Sequence, residues 1–109
     1  MTALKKKSET CEEQLRRMCK EIAEEISDEN NTMKQLEAFM EGVYDIEWIT
    51  HQDHNYKAAR LLVAGNGPNI WVNTLNGTVD GYWGCDKVQW GFVDNIGLDE
   101  YLEELHGCR

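Results

Sequence analysis

His51-Gln52-Asp53-His54 is the densest group of metal-capable side chains in the chain. On one loop, His51 and His54 could reach a single ion, which would make a small metal-dependent protein. A transition-metal site asks for three or four convergent ligands, and no third ligand of obvious origin stands nearby. A polar turn is the better reading. Gly65-Asn66-Gly67-Pro68-Asn69 has the glycines of a phosphate loop. It lacks a following lysine or serine and leads into strand-like sequence, whereas anion binding uses a helix N-terminus. Cys85 is flanked by Asp86, and a nucleophilic thiol needs a histidine or comparable activator that the neighbouring sequence does not offer. The many carboxylates do not by themselves make a hydrolase, which needs two at a set separation in a cleft. The expectation is a non-enzymatic protein with no cofactor, no metal and no catalytic residues.

Charge is the stronger signal. The 109 residues carry a formal net charge of −9, from 11 basic and 20 acidic residues. Residues 1–20 hold six basic and three acidic residues, a net of +3; residues 21–109 hold five and seventeen, a net of −12. Phosphate binding draws on basic side chains that displace counterions, so direct nucleic-acid binding is not expected of this body. A basic surface, including one that normally holds nucleic acid, suits it better. Glu21, Glu24, Glu25 and Asp28 recur at i, i+3, i+4 and i+7 on one helix face, with Glu29 beside them. Such a face can be a solvated surface or a binding surface; like charges at this spacing repel by tenths of a kcal/mol per pair, roughly.

No apolar run approaches the length of a membrane span, and Met1 to Thr10 has no apolar signal-peptide core. The four cysteines, Cys11, Cys19, Cys85 and Cys108, include no C-x-x-C pair. Reduced thiols in a cytoplasm are expected.

The elements that must position these groups follow from periodicity. Residues 9–27 read as a helix, with Cys11, Leu15, Met18, Ile22 and Ile26 in a stripe about 80° wide. Thr32-Met33-Lys34-Gln35 matches a capping box and opens a helix over 33–41, with Met33, Leu36 and Met40 inward and Gly42 as its C-cap. Alternating, β-branched and aromatic runs then predict strands at 43–50, 58–64, 69–75, 78–83 and 87–93. Asn76-Gly77 predicts a type I′ hairpin turn, and Gly84-Cys85-Asp86 a further tight link. A last helix spans 98–106. The expected fold is α+β: two N-terminal helices, a five-stranded antiparallel β-meander and a C-terminal helix. Residues 1–8 form a basic flexible tail and residues 9–109 a single domain.

Period-two alternation divides the sheet. Ile46, Trp48, Leu61, Val63, Ile70, Val72, Val79, Trp83, Val88, Trp90 and Phe92 make the core face. The other face holds Tyr44, Glu47, Ile49, Arg60, Leu62, Trp71, Asn73, Asp80, Tyr82 and Gln89. Its aromatics suit either a binding platform or a homodimer contact.

The stretch Gly67-Pro68-Asn69-Ile70-Trp71-Val72-Asn73-Thr74, followed by Gly77-Thr78-Val79-Asp80-Gly81-Tyr82-Trp83-Gly84, resembles small acidic proteins of bacterial phages and mobile elements. Their shared core reads G-P-N-I-x-V-x-T, a turn, then G-x-V-x-G-Y-W-G. The closing Leu98-Asp99-Glu100-Tyr101-Leu102 helix is also similar, so the resemblance covers residues 57–106. Such proteins include anti-CRISPR and antirestriction proteins, many of which occupy a nuclease's nucleic-acid site with acidic side chains. The resemblance implies an inhibitor of a nucleic-acid-processing effector protein, most plausibly an RNA-guided CRISPR nuclease, and brings no catalytic residues. The residues expected to carry binding are Glu21, Glu24, Glu25, Asp28 and Glu29 on the first helix, with Trp71, Asp80 and Tyr82 on the sheet. A homo-oligomeric structural or regulatory protein is the alternative.

Overall fold

The computed structural model describes residues 10–29, 33–65 and 67–107. The basic tail, Thr32, Asn66 and Cys108 lie outside the described residues. Helices α1 (Cys11–Ile26) and α2 (Met33–Glu41) precede strands β1 (Asp45–Thr50), β2 (Tyr56–Ala64), β3 (Asn69–Asn73), β4 (Thr78–Trp83) and β5 (Asp86–Gly91), and α3 (Leu98–Gly107) follows them. The strands pair antiparallel in the order β1-β2-β3-β4-β5. The short links leave each strand beside its predecessor. Among the described residues no helix is long and apolar enough to cross a membrane.

On one face of the sheet α1 lies over β4 and β5, and α3 over β2, and Leu36 and Phe39 of α2 join the same core. Ile46, Leu61, Val72, Val79 and Trp90 are register partners in turn and form one row on that face. Leu61, Ile70, Val72 and Val79 are fully buried, as are Leu15, Ile26, Leu98 and Leu102 from the helices. The β2–β3 register shifts between Leu62 and Ala64, which allows Val63 and Ala64 both to pack against this core.

The buried stripe of α1 differs from the one its periodicity predicts. Leu15, Cys19, Ala23 and Ile26 are buried, while Cys11 is exposed. The stripe is rotated by about 60° toward the small residues. The reason is Gly81 on β4. A Cβ there would sit 2.6 Å from Cys19 Sγ and 2.8 Å from Leu15 Cδ1. The Leu15 and Cys19 side chains fill the space a Gly81 side chain would take, and that approach turns Cys19 inward.

α1 opens with a capping box of its own, Thr10 with Glu13: Thr10 Oγ1 accepts from Glu13 N at 3.1 Å and Thr10 N donates to Glu13 Oε1 at 3.0 Å; the box expected at Thr32 falls on a residue outside those described. The C-terminal end of α1 is tied down from far away in sequence. Asn95 N donates to the Ile26 carbonyl at 3.1 Å, and Asn95 Nδ2 to the Ser27 carbonyl at 2.8 Å. Asp94 starts α3 with both carboxylate oxygens, accepting from Leu98 N and Asp99 N at 2.8 Å each.

The β3–β4 link is a four-residue loop, Thr74–Gly77, in place of the predicted two-residue type I′ turn. Only Gly77 has positive φ, at 71°. Asn73 Oδ1 accepts from Leu75 N and Asn76 N, at 2.9 and 3.0 Å, which holds the loop in a tight helical curl. Thr74 leaves the strand and uses its hydroxyl to accept from Ala59 N at 2.9 Å.

Candidate partner-binding surfaces

The eight residues singled out from the sequence fall on opposite sides of the sheet. Glu21, Glu24, Glu25, Asp28 and Glu29 belong to α1 and the turn after it, on the helical side. Trp71 pairs with Asp80 across β3 and β4, and Tyr82 follows two residues on. Val79 and Gly81 face the helices, so alternation sends Asp80 and Tyr82 to the other side. No single contact surface can be centred on both groups.

The acidic face of α1 is not a block of like charge. Arg17 Nη1 stands 3.6 Å from Glu21 Oε2, and Lys20 Nζ 4.0 Å from Glu24 Oε2. Both are exposed i,i+4 pairs, worth about 0.3–0.5 kcal/mol each. Asp28 accepts from Gln35 Nε2 at 3.1 Å, which links the end of α1 to α2. Glu25 borders a hollow between α1 and α2 lined also by Ile22, Ala38 and Phe39. Glu25 stays exposed overall, and partial desolvation on that side raises its carboxyl above the ordinary value. Glu29 is exposed.

A second acidic surface comes from α3, outside the residues expected from the sequence. Asp99, Glu100, Glu103 and Glu104 stand on ten residues that hold no lysine or arginine. Asp99 accepts from the Tyr56 hydroxyl at 2.6 Å. Burial first, and this bond second, push the Tyr56 hydroxyl well above its ordinary pKa. Glu100, Glu103 and Glu104 are exposed and have no ion-pair partner among the described residues. Their signal was in the sequence: the segment LDEYLEELHG reads four acids to no lysine or arginine. Together the three helices carry eleven acidic and four basic residues, and the five strands four and three. The net is −7 on the helices against −1 on the strands.

The open sheet face carries the row Leu62, Trp71, Asp80 and Gln89. Arg60 stacks over Trp71, its guanidinium carbon 4.2 Å from the ring centroid, and its Nη1 donates to Glu47 Oε1 at 2.6 Å. Tyr82 is 38% exposed and Asp80 only 7%. Asp80 is therefore no rim charge; it lies at the floor of the face between Trp71 and Gln89.

His51, Gln52, Asp53 and His54 form the β1–β2 turn with their side chains exposed. His54 has φ 71°, and Asp53 is engaged by Asn55, whose N and Nδ2 donate to it at 3.1 and 2.9 Å. Among the described residues no group of three or more His, Cys, Asp or Glu could hold a metal ion. Cys85 is exposed in the β4–β5 turn, and burial with the nearby Asp80 charge pushes the Cys19 thiol up to about 11. No protein-family model matches this chain, and no curated protein or solved structure shows significant similarity to it.

Proposed function

We propose that this protein is a non-enzymatic inhibitor that lays its acidic helical side against the basic, nucleic-acid-binding surface of a bacterial defence protein. The partition of charge, −7 on the helices against −1 on the strands, carries this reading. Carboxylates on α1 and α3 would take the places of phosphates on a basic groove, steer association, and occlude the groove once bound. Glu21, Glu24, Glu25 and Glu29 contribute from the α1 side. Glu100, Glu103 and Glu104 contribute from α3, without intramolecular cations to displace among the described residues. The resemblance of residues 57–106 to small acidic phage and mobile-element proteins supports an RNA-guided CRISPR nuclease as the target class, met in the cytoplasm of the bacterial host.

Binding to a guide-loaded nuclease tests this, with wild type, Glu21→Lys/Glu24→Lys/Glu25→Lys and Glu100→Lys/Glu103→Lys/Glu104→Lys measured in parallel. Wild-type affinity should fall at least about tenfold between roughly 0.05 and 0.3 M salt, as expected for exposed charges beyond a Debye length. Competing target DNA should displace it. Each triple variant should bind more weakly, the α3 variant most. Undiminished low-salt binding by both variants would remove the charge-mimic reading.

A further inference from the structure

On the open sheet face, opposite the acidic helices, Asp80 is a nearly buried carboxylate whose second oxygen takes no hydrogen bond within the described residues. Its residue is 7% exposed, yet it has one hydrogen bond, accepted by Oδ1 from Gln89 Nε2 at 3.1 Å. A buried carboxylate is costly unless it is paired or richly hydrogen-bonded. No cation of the described residues supplies the pairing. Arg60 is committed to Glu47 and the Trp71 ring. Lys87 lines the same depression but is not within ion-pair distance of Asp80. That depression measures about 230 Å³ and is walled by Asp80, Tyr82, Lys87, Val88 and Gln89.

We infer that this depression is a receptor for an arginine side chain presented by a partner protein, with Asp80 as its anion and Tyr82 and Gln89 as its walls. The chemistry favours a guanidinium over an ammonium. Gln89 spends its amide N–H on Asp80, so its carbonyl oxygen and the second Asp80 oxygen remain as acceptors. Two acceptors close together suit the parallel N–H donors of a planar fork, and the Tyr82 ring offers a face on which such a plane can stack. The same sheet face already shows this mode of recognition within the chain. There Arg60 lies over an aromatic ring and donates to a carboxylate, with Trp71 and Glu47 in the roles assigned to Tyr82 and Asp80. The site stands whether or not the helices dock on a basic groove, because it uses the other face of the molecule.

The probe is a blocked Gly-Arg-Gly tripeptide, titrated into the labelled full chain and followed by amide NMR, beside the isosteric neutral Gly-citrulline-Gly peptide. The arginine peptide should shift the Gln89 side-chain amide and the backbone amides of Asp80 and Tyr82 saturably; the citrulline peptide should not. Asp80→Asn, which keeps the shape and removes the charge, should weaken binding at least about tenfold. Lys87→Ala, which removes the neighbouring cation, should strengthen it. The α3 triple lysine variant should leave these shifts in place, which separates this site from the helical surface. Equal shifts with citrulline, unchanged affinity in Asp80→Asn, or shifts confined to α1 and α3 would each overturn the inference. Should Asp80→Asn fail to fold, the Lys87→Ala gain and the citrulline control still decide it.

Discussion

On the helical side of the sheet, charge is plentiful and shallow. Eleven acids meet four bases, the α1 pairs stay within one turn of their own helix, and Glu100, Glu103 and Glu104 project with no ion-pair partner among the described residues. On the open side, charge is sparse and placed. Arg60 bridges from β2 to Glu47 on β1, and Asp80 sits almost out of reach of solvent on β4. A dense exposed surface suits long-range steering and tolerates the loss of any one charge. A buried carboxylate contributes little to steering, but a single substitution changes it completely. The two sides differ in packing as well: α1 and α3 cover one face, and side chains alone partly cover the other.

That packing contrast gives the largest predicted effects. Leu98, the first residue of α3, is fully buried, and Leu62 is half-buried in the open row. Leu98→Ala should cost about 3 kcal/mol by chemical denaturation, and Leu62→Ala about 1 kcal/mol. Equal losses would mean that the open face is covered in solution, and light scattering would then show whether a second copy covers it.

Two glycines sharpen the comparison next. A Cβ on Gly81 would sit 2.6 Å from Cys19 Sγ of α1, whereas a Cβ on Gly91 would meet its nearest neighbour, the Gly77 carbonyl, at 3.9 Å. Gly81→Ala should cost about 2 kcal/mol, because α1 must move outward. Gly91→Ala should stay within about 0.5 kcal/mol. If both are neutral, α1 does not seat against β4 as closely as described.

These glycines also show what a sequence yields and what it withholds. Period and punctuation marked each element, since alternation in VYDIEWIT or KVQWGFV and the breaks at Gly42, Gly67 and Gly84 are local signals. The face of α1 that turns inward was not local. Leu15, Met18, Ile22 and Ile26 predict one stripe; Gly81, some sixty residues later, selects another. The burial of Asp80 likewise depends on Trp71 and Gln89 from neighbouring strands, and no window of sequence contains that register. Asn95 closing the end of α1 is a third case. The acids of α3 are equally legible, since LDEYLEELHG holds four and no lysine or arginine, whereas Arg17 and Lys20 stand one turn before the acids of α1. So the elements could be read from the chain, and the grouping of α1 acids with Trp71, Asp80 and Tyr82 could not.

A smaller effect tests the anchoring of the acidic helix itself. Asp94 accepts from two first-turn N–H groups of α3, so Asp94→Ala should cost about 1 kcal/mol, and Asp94→Asn less. Hydrogen exchange should speed up over the first turn of α3 and leave β3 and β4 unchanged.

The smallest effect separates two acids of the same helix. Partial desolvation beside Ala38 and Phe39 raises the Glu25 carboxyl above its ordinary 4.5. A group with a raised folded pKa favours the fold while protonated in both states, below the unfolded value. That contribution is lost as pH rises through the folded value, because the unfolded chain ionises more readily. Wild type therefore carries a penalty at neutral pH that Glu25→Gln escapes. The variant should be slightly more stable at pH 7 and indistinguishable from wild type below about pH 4, where both states are protonated. Glu21→Gln should move the other way at pH 7, by about 0.3 kcal/mol, because it removes the partner of Arg17. Opposite signs from residues four apart would establish that α1 presents two kinds of acid, one paired in solvent and one partly desolvated at the hollow beside α2. A stabilisation by both would instead indicate that repulsion across the whole helical side outweighs the local pairs, which would make that surface more uniformly acidic than its individual ion pairs suggest.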